Sequence, residues 1–226
     1  MNINILGYNN KINFEDGYVN VLEIINKNAF TTIISIFNKL CNDEKFETNE
    51  ITLHGNNNEI LKFSKEAEIV IDIFNIELNS KKIITKLYNV IESNMENMDE
   101  INEYTTKLRT LLYSNIEELP FNFDINMEVN IQDLLKLYGV KIDISMYIDF
   151  SEKLTFLIDV ISTLKIGNIL IIPNLKTYLT EEELIKIYKY SMYKDIKLLI
   201  IENSSSNILK YEKKLQIDES FCDIMI

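Results

Sequence analysis

Five carboxylates, Glu117, Glu118, Asp124, Glu128 and Asp133, fall within seventeen residues, on and between short elements. Loop carboxylates backed by main-chain carbonyls are the hard oxygen donors that Ca²⁺ takes. Their spacing does not follow the DxDxDG pattern of an EF-hand loop, so on the residues alone a cation site and a solvated acidic surface are both open. A second group is basic: Lys81, Lys82 and Lys86, then Lys107 and Arg109, then Lys136 and Lys141. Lys82 and Lys86 stand four apart, which on a helix places them on one face as a row able to follow phosphates; the same spacing serves plain solubility. Asp72, inside IVIDIF, is a third candidate. It reads either as a buried carboxylate of altered acidity or as an acid at a strand end bonded to the N–H groups of a neighbouring loop.

Other chemistries find little to work with. The single histidine, His54, cannot build a His-rich metal site and is expected in an exposed loop. A Ser-His-Asp triad would have to use it, yet there is no GxSxG elbow, and SSSN near Ser204 reads as a polar loop. Cys41 and Cys222 flank no CxxC or zinc spacing, so both are expected as buried thiols in a reducing compartment.

The elements that must position these residues follow from the apolar spacing. NINILGYNNKINFEDGYVNVLEI has three short apolar runs separated by Asn, Asp and Gly turn chemistry, an antiparallel entry to a sheet. In VNVLEIINKNAFTTII a strand runs directly into a helix of about 14 residues. GNNN marks a hairpin tip between Leu53 and Ile60, and Ile69, Val70, Ile71, Ile73 and Phe74 read as a strand buried on both faces. From Asn79 the period becomes helical: one helix capped by Asn79 or Ser80, a second ending at Pro120, and a short third, IQDLLKLYGV, stopped by Gly139. A long helix from about Tyr147 to Lys165, the strand NILIIPN, a helix opened by the Thr180/Glu183 capping box and the strand IKLLIIE complete the pattern. Alternating helices and continuous apolar strands imply a mainly parallel α/β sheet. The architecture expected is an α/β head, residues 1–78 plus 140–226, interrupted by an all-helical leg, residues 79–139.

In outline that head resembles a phosphate-loop nucleotidase, with its two diagnostic sites missing. The strand-to-helix junction reads IINKNAFTT, with no glycine where GxxxxGK[ST] needs a close backbone approach to phosphate; Lys27, Thr31 and Thr32 only echo the motif. The strand that should end in an acid for Mg²⁺ ends instead in Pro173 and Asn174.

The chain has 226 residues, 46% of them hydrophobic, enough for a packed core without staples. No apolar stretch reaches the ~20 residues of a membrane span and no N-terminal leader pattern appears, so a cytoplasmic protein without membrane contact is expected. A net charge of −12 argues at first sight against nucleic acid, but the 23 basic residues, all lysines except Arg109, would suffice if gathered on one surface.

Taken in order, DGYVNVLEI (16–24), DIFNIELNS (72–80), LLKLYGVKID (134–143), NILIIPNLKTYLTEEEL (168–184) and IKLLIIE resemble the short form of the small CRISPR-associated adaptation protein of type II-A systems. The resemblance implies an α/β, degenerate P-loop-nucleotidase-like head with an inserted all-helical leg. It implies a homotetrameric ring whose basic central hole holds linear double-stranded DNA, loaded at its ends, during spacer acquisition. It also implies Ca²⁺ bound where head meets leg, and work beside the spacer integrase and the RNA-guided nuclease of the same system. Glu128 falls where the family keeps an acid, with Asp124, Asp133 and Glu118 near enough to join it as metal ligands; Lys81, Lys82, Lys86 and Lys136 are the DNA-contact candidates. With one arginine in the chain, sequence-independent phosphate contact is expected over base readout. The implied protein is not an enzyme. The rival reading is a divergent Mg²⁺-dependent nucleotidase or nuclease using Asp72 and the carboxylates near Glu128.

Overall fold

A computed structural model describes residues 1–116, 118–124, 130–147 and 149–226. The chain divides into two compact units, Met1–Leu78 with Ile144–Ile226, and Asn79–Asp143.

The first unit is the α/β head. In chain order it contains β1 (Asn2–Ile5), β2 (Ile12–Asn13), β3 (Val19–Ile24), α1 (Lys27–Asn42), β4 (Ile51–His54), β5 (Ile60–Leu61), α2 (Phe63–Glu66) and β6 (Ala67–Ile69). The second unit follows with α3 (Lys81–Ser93), α4 (Met98–Ile116) and α5 (Ile131–Leu137). The chain then returns to the head for α6 (Phe150–Leu164), β7 (Ile169–Pro173), α7 (Glu181–Tyr193), β8 (Lys197–Glu202), β9 (Glu212–Ile217) and β10 (Asp223–Met225).

Six strands form the main sheet in the order β10-β9-β3-β8-β7-β6, parallel except for the antiparallel edge β10. All six residues of β3 are buried, because neighbours pair on both edges and helices or a second sheet cover both faces. The second sheet, β2-β1-β4-β5, is antiparallel. The sequence places β1, β2 and β3 in one antiparallel entry; instead β3 leaves its predecessors and becomes a parallel strand of the main sheet.

One core lies between α1, the small sheet and one face of the main sheet, with Phe37, Leu22, Ile24, Leu53, Ile171 and Leu199 fully buried. Ile33, Phe37, Leu40 and Cys41 recur at helical spacing and give α1 its buried face. On the other side α6 and α7 pack against each other, burying Leu154, Leu157, Ile158, Ile161, Leu184 and Tyr188. α7 begins with the expected capping box, and α6 ends on left-handed Lys165, φ 50°.

Other readings fail as well. The run from Ile69 to Phe74 is not a strand buried on both faces: β6 stops at Ile69 on the sheet edge, and Ile71 and Phe74 are exposed. Phe74 turns out to meet Tyr178 edge to face, ring centroids 5.3 Å apart. β9 and β10 go unforeseen, since EKKLQI carries three charges in a row and yet lies inside the sheet. His54 is on β4, half-buried, with Nε2 3.0 Å from Thr52 Oγ1, not in an exposed loop.

In the second unit Ser80 caps α3 and Asn130 caps α5; Gly139, φ 64°, follows α5 as the left-handed stop. Asn79 joins the two ends of the insert, its side chain donating to Ile142 O and accepting from Ile142 N at 3.0 and 2.9 Å. Ile83, Tyr88 and Ile131 are buried between α3 and α5, whereas α4 has no buried residue.

Candidate functional site

The carboxyl ends of β3, β8 and β7 point the same way, and in an open parallel sheet that edge is where a ligand site is built. A phosphate site at the β3–α1 junction would need the free N–H groups at the start of α1. The chain satisfies them itself: Asn26 Oδ1 accepts from Asn28 N at 3.0 Å and Ala29 N at 3.1 Å, and Asn26 O accepts from Phe30 N. Lys27 is already the first residue of the helix, and Thr31 Oγ1 turns back to donate to Lys27 O at 2.9 Å. From the next strand Asn203 Nδ2 donates to Ile24 O at 2.8 Å, tying the junction to the end of β8. At the end of β7, Pro173 is followed by left-handed Asn174, φ 54°, whose N–H is spent on Ile201 O. The edge is therefore closed by a side-chain cap where phosphate would bind and by a backbone bond at the strand end where Mg²⁺ would.

Behind this edge, on the sheet face toward α7, lies a buried ionic network that sequence reading misses. Lys214 pairs with Glu23 at 2.7 Å and Lys176 with Glu212 at 2.8 Å, every one of these side chains less than a tenth exposed. Tyr188 Oη donates to Glu212 Oε1 at 2.7 Å, Gln216 Nε2 to Glu23 Oε1 at 3.1 Å, and Lys176 N to Glu202 Oε1 at 2.9 Å. Burial, reinforced by Glu212, pushes the Tyr188 phenol far above its usual range, so it stays a donor. Burial first, then the nearby charges of Glu23 and Glu212, raises the Glu202 carboxyl to about 7, against the Lys176 N–H and ammonium that lower it. The available signal was an acid closing an apolar run, LLIIE, and charges opening another, EKKL.

The remaining candidates are dispersed. Asp72 is exposed and forms an Asx turn, Oδ1 accepting from Phe74 N at 3.0 Å and Asn75 N at 3.2 Å; it is not buried, and it bonds its own turn beyond the end of β6 and not a neighbouring loop, so neither reading holds as stated. Glu117 and Glu128 lie outside the described residues. Glu118 and Asp124 are exposed, and Asp133, in the first turn of α5, pairs with Lys136 at 3.0 Å. Among the described residues no three His, Cys, Asp or Glu side chains gather as a metal-holding group, so the described carboxylates alone do not fit a Ca²⁺ donor set. Cys41 is a buried thiol as expected; Cys222, expected buried, is exposed.

The lysines of α3 are better placed. Ile83 and Tyr88 fix its buried side; Lys82, half-buried, and Lys86, exposed, stand four apart on the face away from it, and Lys81 is exposed in the first turn, to one side of that pair. Lys136 stands on α5, also exposed. No helix among the described residues is long and apolar enough to cross a membrane.

A family model described as CRISPR-associated protein (Cas_Csn2) matches residues 45–221. A CRISPR-associated protein Csn2 from Streptococcus agalactiae is 26% identical over 188 residues, 80% of either chain. One from Enterococcus faecalis is 26% identical over 159 residues, 69% of this chain and 71% of its own. Among solved structures, Stu0660 of Streptococcus thermophilus superposes with a TM-score of 0.58 at 14% identity, covering 96% of this chain and 75% of that one. The fold is accordingly α/β, a mainly parallel six-stranded sheet with an inserted all-helical segment, and it is shared with that structure.

Proposed function

The chain belongs to the CRISPR-associated Cas_Csn2 family, and from that premise we propose that it binds the ends of linear double-stranded DNA without sequence preference, as a homotetrameric ring and without turnover. The observation that carries the DNA-binding part is the lysine row of α3. Lys82 and Lys86, four apart, lie on the face away from the buried Ile83 and Tyr88, Lys81 is exposed in the first turn beside them, and neither Lys81 nor Lys86 has a side-chain partner among the described residues. Lysines on a helix reach phosphates and release counterions, which gives affinity without reading bases. Lys136 is the fourth contact in the proposal, and reaching DNA would cost it its pairing with Asp133.

Absence of turnover is supported by the self-capped β3–α1 junction and by the Pro173–Asn174 strand end, which leave no phosphate cradle and no acid for Mg²⁺. Assembly is supported by α4: Tyr104, Leu108, Leu111 and Leu112 are each more than half exposed, an apolar face that a second copy would cover. Ca²⁺, with Glu128, Asp124, Glu118 and Asp133 as its ligands, is kept in the proposal as a brace for assembly and takes no part in chemistry. The spacer integrase and RNA-guided nuclease of the same system are the proposed protein partners.

The test is the salt dependence of binding to a short duplex. Exchanging Lys81 and Lys86 together for Glu should weaken binding to every sequence alike and make the slope of log K against log salt shallower by about one per lost phosphate contact. An unchanged slope would remove α3 from the interface. A chelator arm, read by light scattering, reports on the brace: a tetramer unaltered without Ca²⁺ would remove the metal from the proposal.

A further inference from the structure

The network behind the β3–α1 junction holds three carboxylates against two ammonium groups. Glu23, Glu202 and Glu212 are 0%, 1% and 7% exposed. Lys214 serves Glu23 and Lys176 serves Glu212. Glu202 is left with a backbone donor, Lys176 N, and stands beside Glu23 across the β3–β8 ladder. The charged and titratable groups around it are Glu23 on β3, Glu212 and Lys214 on β9, Tyr188 on α7 and Lys176 after β7. A buried carboxylate without its own countercharge is far cheaper protonated than charged.

Both lysines also hold a connecting segment. Lys176 Nζ donates to Ser206 Oγ at 3.2 Å and Asn207 O at 3.1 Å, and Lys214 Nζ donates to Ser206 O. These residues belong to the stretch 203–211 between β8 and β9, which starts at Asn203 on Ile24 O and ends with Leu209 N donating to Glu212 Oε2 at 2.9 Å. Lys176, Lys214 and Glu212 therefore fix the same segment that, through Asn203, ties the β3–α1 junction, and Glu23 and Glu202 compete for the two lysines.

We propose that the network is a proton-sensitive latch: with Glu202 neutral, Lys176 and Lys214 keep segment 203–211 fastened, and with Glu202 charged, a third carboxylate competes for the two ammonium groups and the segment loosens. The carboxyl, raised in the folded protein to about 7 from the ordinary 4.5, sets the direction. Between those values the folded state binds more protons than the unfolded one. Its contribution to stability is thus complete below the ordinary value and is lost as pH rises through about 7.

The experiment compares the full chain with Glu202→Gln, which keeps the Oε1 acceptor and cannot ionise. Amide exchange across 203–211, corrected for its chemical pH dependence, should be about tenfold faster at about pH 8 than at about pH 6 in the wild type, with a lower urea midpoint at the higher pH. Both differences should vanish in Glu202→Gln. Equal protection at the two pH values, or an unchanged difference in the variant, would overturn the latch. Carbon-13 titration of the Glu202 carboxyl in the wild type decides independently of how the variant folds: titration near neutrality supports the latch, and titration near the ordinary carboxylate value overturns it.

Discussion

Asn26 fills, with a neutral amide oxygen, the place at the start of α1 that a phosphate would take, and it does so at 3.0 and 3.1 Å from two backbone donors. Replacing it with Ala should lower the unfolding free energy by about 1 kcal/mol, the worth of an N-cap, in urea titration, without creating affinity for ATP; measurable ATP binding would contradict the account of the junction. Lys176 is a different case, since its removal strands Glu212 inside the protein. Lys176→Met should cost about 3 kcal/mol or more in the same titration, several times the loss of the cap; a cost comparable to the cap's would mean the network is slack. The missing glycines and the closing Pro173–Asn174 could be read directly from the sequence. The ion pairs could not, because Lys176 and Glu212 are 36 residues apart and Glu23 meets a lysine brought from the far end of the chain. Only the strand register, with β9 beside β3, puts them in reach.

At the scale of elements, local rules worked wherever caps and periodicity agreed. Ser80, Thr180 and Gly139 mark helix ends where residue types place them. They failed where tertiary placement decides: a β-branched run at a sheet edge had no second neighbour to pair with, so it became β6 and an Asx turn. β9 inverted the error, because its charges are compensated inside the sheet. Helix α4 shows the limit of periodicity, which finds an apolar stripe without saying what covers it. The β6–β7 pairing supplies a further test. Gly167 lies so close to α2 that an added Cβ would stand 2.6 Å from Glu66 O and 3.1 Å from Ala67 N, both backbone atoms. Gly167→Ala should therefore destabilise by about 1–3 kcal/mol, with loss of protection at Ala67 and Ile69 in hydrogen exchange; a neutral substitution would show that this edge yields easily.

The molecule as a whole carries 35 acidic against 23 basic side chains, and its proposed partner is a polyanion. The two agree only if lysines are gathered where DNA would lie, and in the proposed ring assembly would be the means by which one short row on α3 becomes a continuous surface. Ring closure, as proposed, would add topology to electrostatics: a closed ring admits duplex through its ends, whatever the sequence. The central claim is thus best tested by retention of a linear duplex against a covalently closed circle of the same sequence and length, with Ca²⁺ and with chelator, at two salt concentrations. The account predicts retention of the linear form alone, weakened by salt and lost in chelator. Equal retention of the circle would contradict end-loading by a ring, and retention of neither would contradict DNA binding itself.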